Sequence, residues 1–183
     1  MKHTATDIPG LFVAESTAVA DHRGAFLRCF CLPSLKDVVS DRQILQINHS
    51  RTEAVGAVRG LHFQYPPFAE MKLVRCIRGR VWDVALDLRR DSATFLHWHA
   101  EELSPKNNRM MLIPEGFAHG FQVLEPASEL LYLHTAIYHA DSEGGIRFDD
   151  PRVAIDWPLP AVDLSQRDQN HPLLTANFEG LAA

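Results

Sequence analysis

The sequence predicts an all-β fold, a barrel or two-sheet sandwich, on three observations. Its apolar runs are short and rich in β-branched and aromatic residues, glycine and proline punctuate them too closely for long helices, and helical signals are few. A chain of 183 residues fits one domain, taken here as residues 1–183, because a single core still grows at that size. The 46% hydrophobic and 22% charged residues suit a packed core and argue against disorder.

In chain order, the runs that read as strands include Ala25 to Phe30, Met71 to Ile77, Val81 to Leu88, Arg109 to Ile113 and Leu130 to Tyr138. Leu32 to Val39 reads as a short helix with Pro33 in its first turn, and the tail after Asp168 as another. Arg78-Gly79-Arg80, Pro114-Glu115-Gly116 and Glu143-Gly144-Gly145 read as turns. No internal repeat or low-complexity segment interrupts the pattern.

The net charge of −5 is interspersed and no basic block occurs, which disfavours nucleic-acid binding while leaving room for a few arginines to hold an anionic small ligand. No signal-peptide core and no apolar stretch of membrane-spanning length is present, so the expectation is a cytoplasmic protein without a membrane partner. Cys29, Cys31 and Cys76 are odd in number. The spacing of Cys29-Phe30-Cys31 places two thiols on one strand face, poor geometry for a zinc or disulfide pair, so all three read as idle.

Chemistry concentrates in two clusters. In Gly56-Ala57-Val58-Arg59-Gly60-Leu61-His62-Phe63-Gln64, an extended strand puts Gly60, His62 and Gln64 on one side and Leu61 and Phe63 on the other. Ile113-Pro114-Glu115-Gly116-Phe117-Ala118-His119-Gly120-Phe121 delivers a second histidine from a tight turn into an apolar strand. Together they resemble the paired motifs of the cupins, whose jelly-roll barrel points polar side chains into its mouth. Gln64 stands where metal-binding cupins place a second histidine; His62, Glu70 and His119 remain a possible three-ligand set, opposed by the nearby Lys72.

These segments, with Asp21 to Phe26, Gln46 to Ser50, Lys72-Leu73-Val74, Val81 to Arg89 and Asp150-Pro151, resemble the dTDP-4-dehydrorhamnose 3,5-epimerase family, a metal-independent branch of the cupins, over most of the chain. The resemblance implies a jelly-roll homodimer whose N-terminal strands pair across the interface. It implies no cofactor, and a nucleotide-diphosphate 4-keto-6-deoxy sugar inverted at C3, C5 or both. It makes His62 the general base, oriented by Asp168, and Tyr132 the acid on the opposite face; Lys72 stabilises the enolate oxygen. The same resemblance assigns substrate contacts to Arg23, Phe26, Gln46, Asn48, Arg59, His119, Tyr138, Glu143 and Arg167. A hydrogen beside a ketone is removable because charge spreads onto the carbonyl oxygen, which calls for a base near neutral pKa and a donor at that oxygen.

Plainer roles compete: a strand histidine is ordinarily packing, Tyr132 lies in an apolar run, and Lys72 can merely extend to solvent. His3, His22, His49, His97, His99, His134 and His139 read as surface or packing residues. Arg28 stands where the family carries an acid, Leu133-His134 where it commonly has a lysine and a small residue, and Arg167 where it has a lysine. Competing functions are a metal-dependent cupin enzyme and a non-catalytic sugar-nucleotide binding module.

Overall fold

The computed structural model describes residues 1–182. Thirteen strands follow in order: β1 (Lys2–Ala5), β2 (Phe12–Glu15), β3 (Val19–Asp21), β4 (Gly24–Phe26), β5 (Gln46–Thr52), β6 (Val58–Gln64), β7 (Lys72–Arg78), β8 (Val81–Asp87), β9 (Trp98–Leu103), β10 (Arg109–Ile113), β11 (Phe117–Val123), β12 (Ser128–His134) and β13 (Glu143–Gly145). Two α-helices, α1 (Leu32–Val39) and α2 (Gln166–Asn170), and one 3-10 turn (Ala140–Ser142) complete the regular structure of the described residues. A six-stranded sheet, β1-β2-β10-β7-β12-β5, faces a five-stranded sheet, β13-β6-β11-β8-β9, while β3 and β4 form a separate hairpin. The pairing between these strands is antiparallel.

Alternation along each strand builds three apolar layers. Between the sheets lie Val74 and Cys76 of β7, Val81 and Ala85 of β8, Phe117, Phe121 and Val123 of β11, and Leu130 of β12. The neighbouring residues Leu73, Leu112 and Leu133 point outward and are covered by Leu35, Val38 and Val39 of α1. Outside the other sheet, Leu61, Phe63, Val84, Leu86 and Ala118 pack under the C-terminal segment, including Ile146, Val153 and Leu181. Leu35 is wholly buried, so Leu35→Ala should destabilise by about 2–5 kcal/mol.

One close approach between strands shapes the site. A Cβ on Gly60 of β6 would lie 2.6 Å from Cα of Gly120 on β11, and Gly60 has φ +124°. Only glycine suits both the backbone angle and the gap, and the approach brings His62 opposite His119 in register.

Several boundaries differ from the sequence reading. The run Ala25 to Phe30 is strand only to Phe26, and Cys29-Phe30-Cys31 lies outside any strand; Cys31 instead precedes α1 as its N-cap. The run Leu130 to Tyr138 stops at His134, where the Thr135 hydroxyl accepts from the Met71 backbone and turns the chain. The tail helix starts before Asp168, at Gln166, because the Ser165 hydroxyl caps it by accepting the Asp168 N–H. The three cysteines are free, and burial pushes the Cys76 thiol up to about 11.

Candidate active site

The parity that sends Val74 and Leu130 inward also turns Lys72, Tyr132 and His134 inward from the six-stranded sheet. From the opposite sheet come His62, Asp83 and His119. Toward one end of the sandwich the apolar filling gives way to a pocket of about 270 Å³, lined by His62, Lys72, His119, Tyr132, His134 and Arg59 among others.

At one wall, Nε2 of His62 meets Oδ1 of Asp168 at 2.7 Å. The other oxygen of Asp168 accepts the Gly60 N–H at 3.2 Å, so the carboxylate is held by the same strand that carries the histidine. Burial raises the Asp168 pKa, but the hydrogen bond and charge of His62, the Gly60 N–H and the Arg167 charge outweigh it and bring it down to about 2. Arg167 also approaches Nε2 of His62, at 3.1 Å. One ring nitrogen cannot donate to a carboxylate and accept from a guanidinium together; the shorter, charge-assisted contact puts the hydrogen on Nε2, facing Asp168. Nδ1 then keeps the free lone pair that a general base needs.

On the facing sheet, the Tyr132 hydroxyl shares a hydrogen bond with the Ser50 hydroxyl at 3.1 Å. Burial raises its pKa, against the lowering effect of Ser50, so the phenol stays protonated at neutral pH. Lys72 donates to the carbonyl oxygen of His62 at 3.2 Å and pairs with Glu70 at 3.4 Å. His119 is bound through Nε2 to Oδ1 of the fully buried Asp83 at 2.8 Å. A base, a phenol on the opposite sheet and a cation therefore converge on one cavity, a set suited to moving protons beside a carbonyl.

The family model described as dTDP-4-dehydrorhamnose 3,5-epimerase matches residues 5–176. The curated dTDP-4-dehydrorhamnose 3,5-epimerase of Pseudomonas aeruginosa is 43% identical over 171 residues, 92% of this chain and 93% of its own. The chain belongs to the dTDP-4-dehydrorhamnose 3,5-epimerase family. The fold agrees. A dTDP-6-deoxy-D-glucose-3,5-epimerase from Legionella pneumophila, solved in complex with dTDP-4-keto-L-rhamnose, superposes with TM-score 0.92 at 36% identity, covering 100% of this chain and 98% of that one. A 3'-monoepimerase from Streptomyces bikiniensis, solved with dTDP as a double mutant with one histidine changed to asparagine and one tyrosine to phenylalanine, gives TM-score 0.86 at 28% identity, covering 94% and 86%.

Of the residues that the epimerase resemblance singled out, His62, Lys72, Tyr132, Asn48, Arg59, His119, Tyr138, Glu143 and Arg167 line the pocket, with Asp168 directly behind His62. At the rim, Arg167 bridges to both oxygens of Glu143, which also accepts the Tyr138 hydroxyl at 3.1 Å. Gln46 sits just behind, accepting the Tyr138 N–H and donating to Asn48. Arg23 and Phe26 lie elsewhere, on the β3–β4 hairpin, where Phe26 is 71% exposed and Arg23 pairs with Asp21. Arg28, beside that hairpin, is likewise away from this pocket; its guanidinium reaches Cys31.

His134, read as a packing or surface residue, is buried and also lines the pocket, binding Glu70 at 2.7 Å. Tyr132 is the signal for it, since a residue two positions along a strand shares its face. Ser50, Asp83 and His171 are further additions; Asp83 interrupts an apolar strand, itself a sign of a paired buried charge. The ligand set of His62, Glu70 and His119 is not assembled, because Glu70 turns to His134 and Lys72 while His119 turns to Asp83. The donors that do converge, within 4.8 Å of one another, belong to His62, Asp168 and His171, and the Arg167 guanidinium beside the same nitrogen opposes a cation there. Gln64 is occupied in holding the Phe68 and His139 backbones.

Proposed function

We propose that this enzyme inverts C3, C5 or both in a dTDP-linked 4-keto-6-deoxy hexose by proton transfer beside the ketone. The observation that carries the reading is His62 on one sheet, backed by Asp168 of α2, facing the buried phenol of Tyr132 on the other, with the Lys72 ammonium reaching the His62 carbonyl across the same pocket. Nδ1 of His62 takes the proton from the carbon next to C4, and the electron pair moves onto the ketone oxygen, where Lys72 donates a hydrogen bond. Tyr132 returns a proton from the opposite face, so configuration inverts with no net redox change. Its raised pKa suits that role: the phenol keeps its hydrogen until a far stronger carbon base takes it. In the Streptomyces enzyme the altered histidine and tyrosine are separated along the chain as His62 and Tyr132 are here, which supports the pairing.

The whole chain serves as one domain, with the nucleotide held at the rim by Arg59, Arg167, Glu143, Tyr138, Asn48 and Gln46. Guanidinium forks suit a diphosphate and the Tyr138 ring suits a base. Arg23 and Phe26 would meet a ligand only from a second copy, which favours a homodimer; Val19 and Phe26, each 71% exposed on one hairpin, fit an interface. Free thiols at Cys29, Cys31 and Cys76 fit a reducing, cytoplasmic setting, and no helix among the described residues is long and apolar enough to cross a membrane.

Solvent deuterium exchange followed by NMR tests the reaction. With dTDP-4-keto-6-deoxyglucose in D2O, label should enter C3 or C5, and the position identifies the centre. A binding module without turnover would show no label, as would a wrong sugar class. Sedimentation in solution tests the dimer.

A further inference from the structure

The Lys72 ammonium is tethered twice. Nζ donates to the His62 carbonyl oxygen at 3.2 Å and faces Oε1 of Glu70 at 3.4 Å. One hydrogen bond and one adjacent carboxylate restrict how the tetrahedral ammonium can turn and keep it over the pocket. The Lys72 and Glu70 side chains are 12% and 7% exposed, which limits competition from water. Glu70 is fixed in turn, its Oε2 lying 2.7 Å from Nδ1 of His134.

The hydrogen on that imidazole can be traced from a backbone group. The Tyr138 N–H can only donate, and it meets Oε1 of Gln46 at 3.1 Å. Gln46 must then offer Nε2 to Oδ1 of Asn48, also at 3.1 Å. Asn48 consequently presents Nδ2 to Nε2 of His134 at 3.4 Å. Nε2 accepts, Nδ1 holds the hydrogen, and its donation to Glu70 completes a one-way chain. Turning over any one amide would set donor against donor.

We infer that Glu70 and His134 are positioning residues that hold the Lys72 ammonium toward the ketone oxygen of the substrate. The inference rests on the role proposed above for Lys72. Neither residue is assigned a contact with the sugar: Glu70 acts through Lys72, and His134 through Glu70. Fixing a donor before charge develops is the source of its value, because no reorganisation is then needed in the transition state.

A double-mutant cycle tests this, with kcat and KM measured by the exchange assay and folding checked by thermal melting. Glu70→Ala should lower kcat about tenfold with KM within about twofold, and His134→Ala should lower it about threefold. In a Lys72→Ala background, Glu70→Ala should add less than about twofold. Glu70→Gln, which keeps an acceptor oxygen and the side-chain volume, runs the same cycle with smaller effects if the alanine variant does not fold. Equal losses in both backgrounds, or a change confined to KM, would overturn the inference. Unchanged kcat in Lys72→Ala alone is a separate result that removes the Lys72 role itself, and the inference with it.

Discussion

Two histidines on adjacent strands of one sheet each meet a carboxylate, His62 that of Asp168 in α2 and His119 that of Asp83 in β8, yet the electrostatics of the two pairs are opposite. Asp168 takes a hydrogen bond from a backbone N–H as well as from His62, and its pKa is lowered to about 2. Asp83 is fully buried, its Oδ2 has no partner, and burial raises its pKa despite His119 and Lys72. In the proposed reaction the first pair supports a protonated imidazole during turnover, and the second holds a side chain in place. A histidine beside a carboxylate is therefore not by itself a base. The remaining partners of the carboxylate decide it.

That contrast is open to direct attack. The largest expected effect is His62→Ala, which should reduce deuterium exchange by about 10²–10⁴-fold, whereas exchange surviving intact would move the base to the other pair. Asp168→Asn should lower turnover by about a hundredfold, because the amide favours the wrong tautomer of His62. Tyr132→Phe should leave exchange within about tenfold of the parent while inversion, followed by product NMR, falls much further, because in the proposed reaction the phenol acts only after the carbon is deprotonated.

Asp83→Asn is the sharpening case. An amide oxygen still accepts from His119 and the buried charge is gone, so kcat should stay within about threefold. Stability at neutral pH should rise or hold, since an acid whose folded pKa is raised weakens the fold once it ionises. A loss matching Asp168→Asn would erase the distinction between the pairs. The smallest effect is on acid stability. A depressed carboxylate contributes stability that is complete above its ordinary value near 3.8 and is lost as pH falls through about 2. Denaturant melts of parent and Asp168→Asn should converge across that window.

Much of this arrangement is legible from alternation alone. Strand parity placed His62 opposite Leu61 and Phe63, and the short helix from Leu32 is present as read. The link from His62 to Asp168 spans 106 residues, which no local pattern can express; only family resemblance pointed to it. Its local trace is Ser165 capping a helix three residues ahead of Asp168. His134 carries no motif of its own and reads as surface or packing, although its parity with Tyr132 places it on the pocket face. The hairpin of Arg23 and Phe26 shows a different boundary: a residue assigned to ligand in sequence can lie far from the pocket of its own chain.

The bond from Lys72 to the His62 carbonyl uses main chain, not the imidazole. Whatever side chain occupies position 62, that anchor survives. On the proposed mechanism, the His62→Ala protein should still seat an intact keto sugar under the Lys72 cation while enolising it far more slowly, which makes it a vehicle for crystallographic capture of the unreacted ligand.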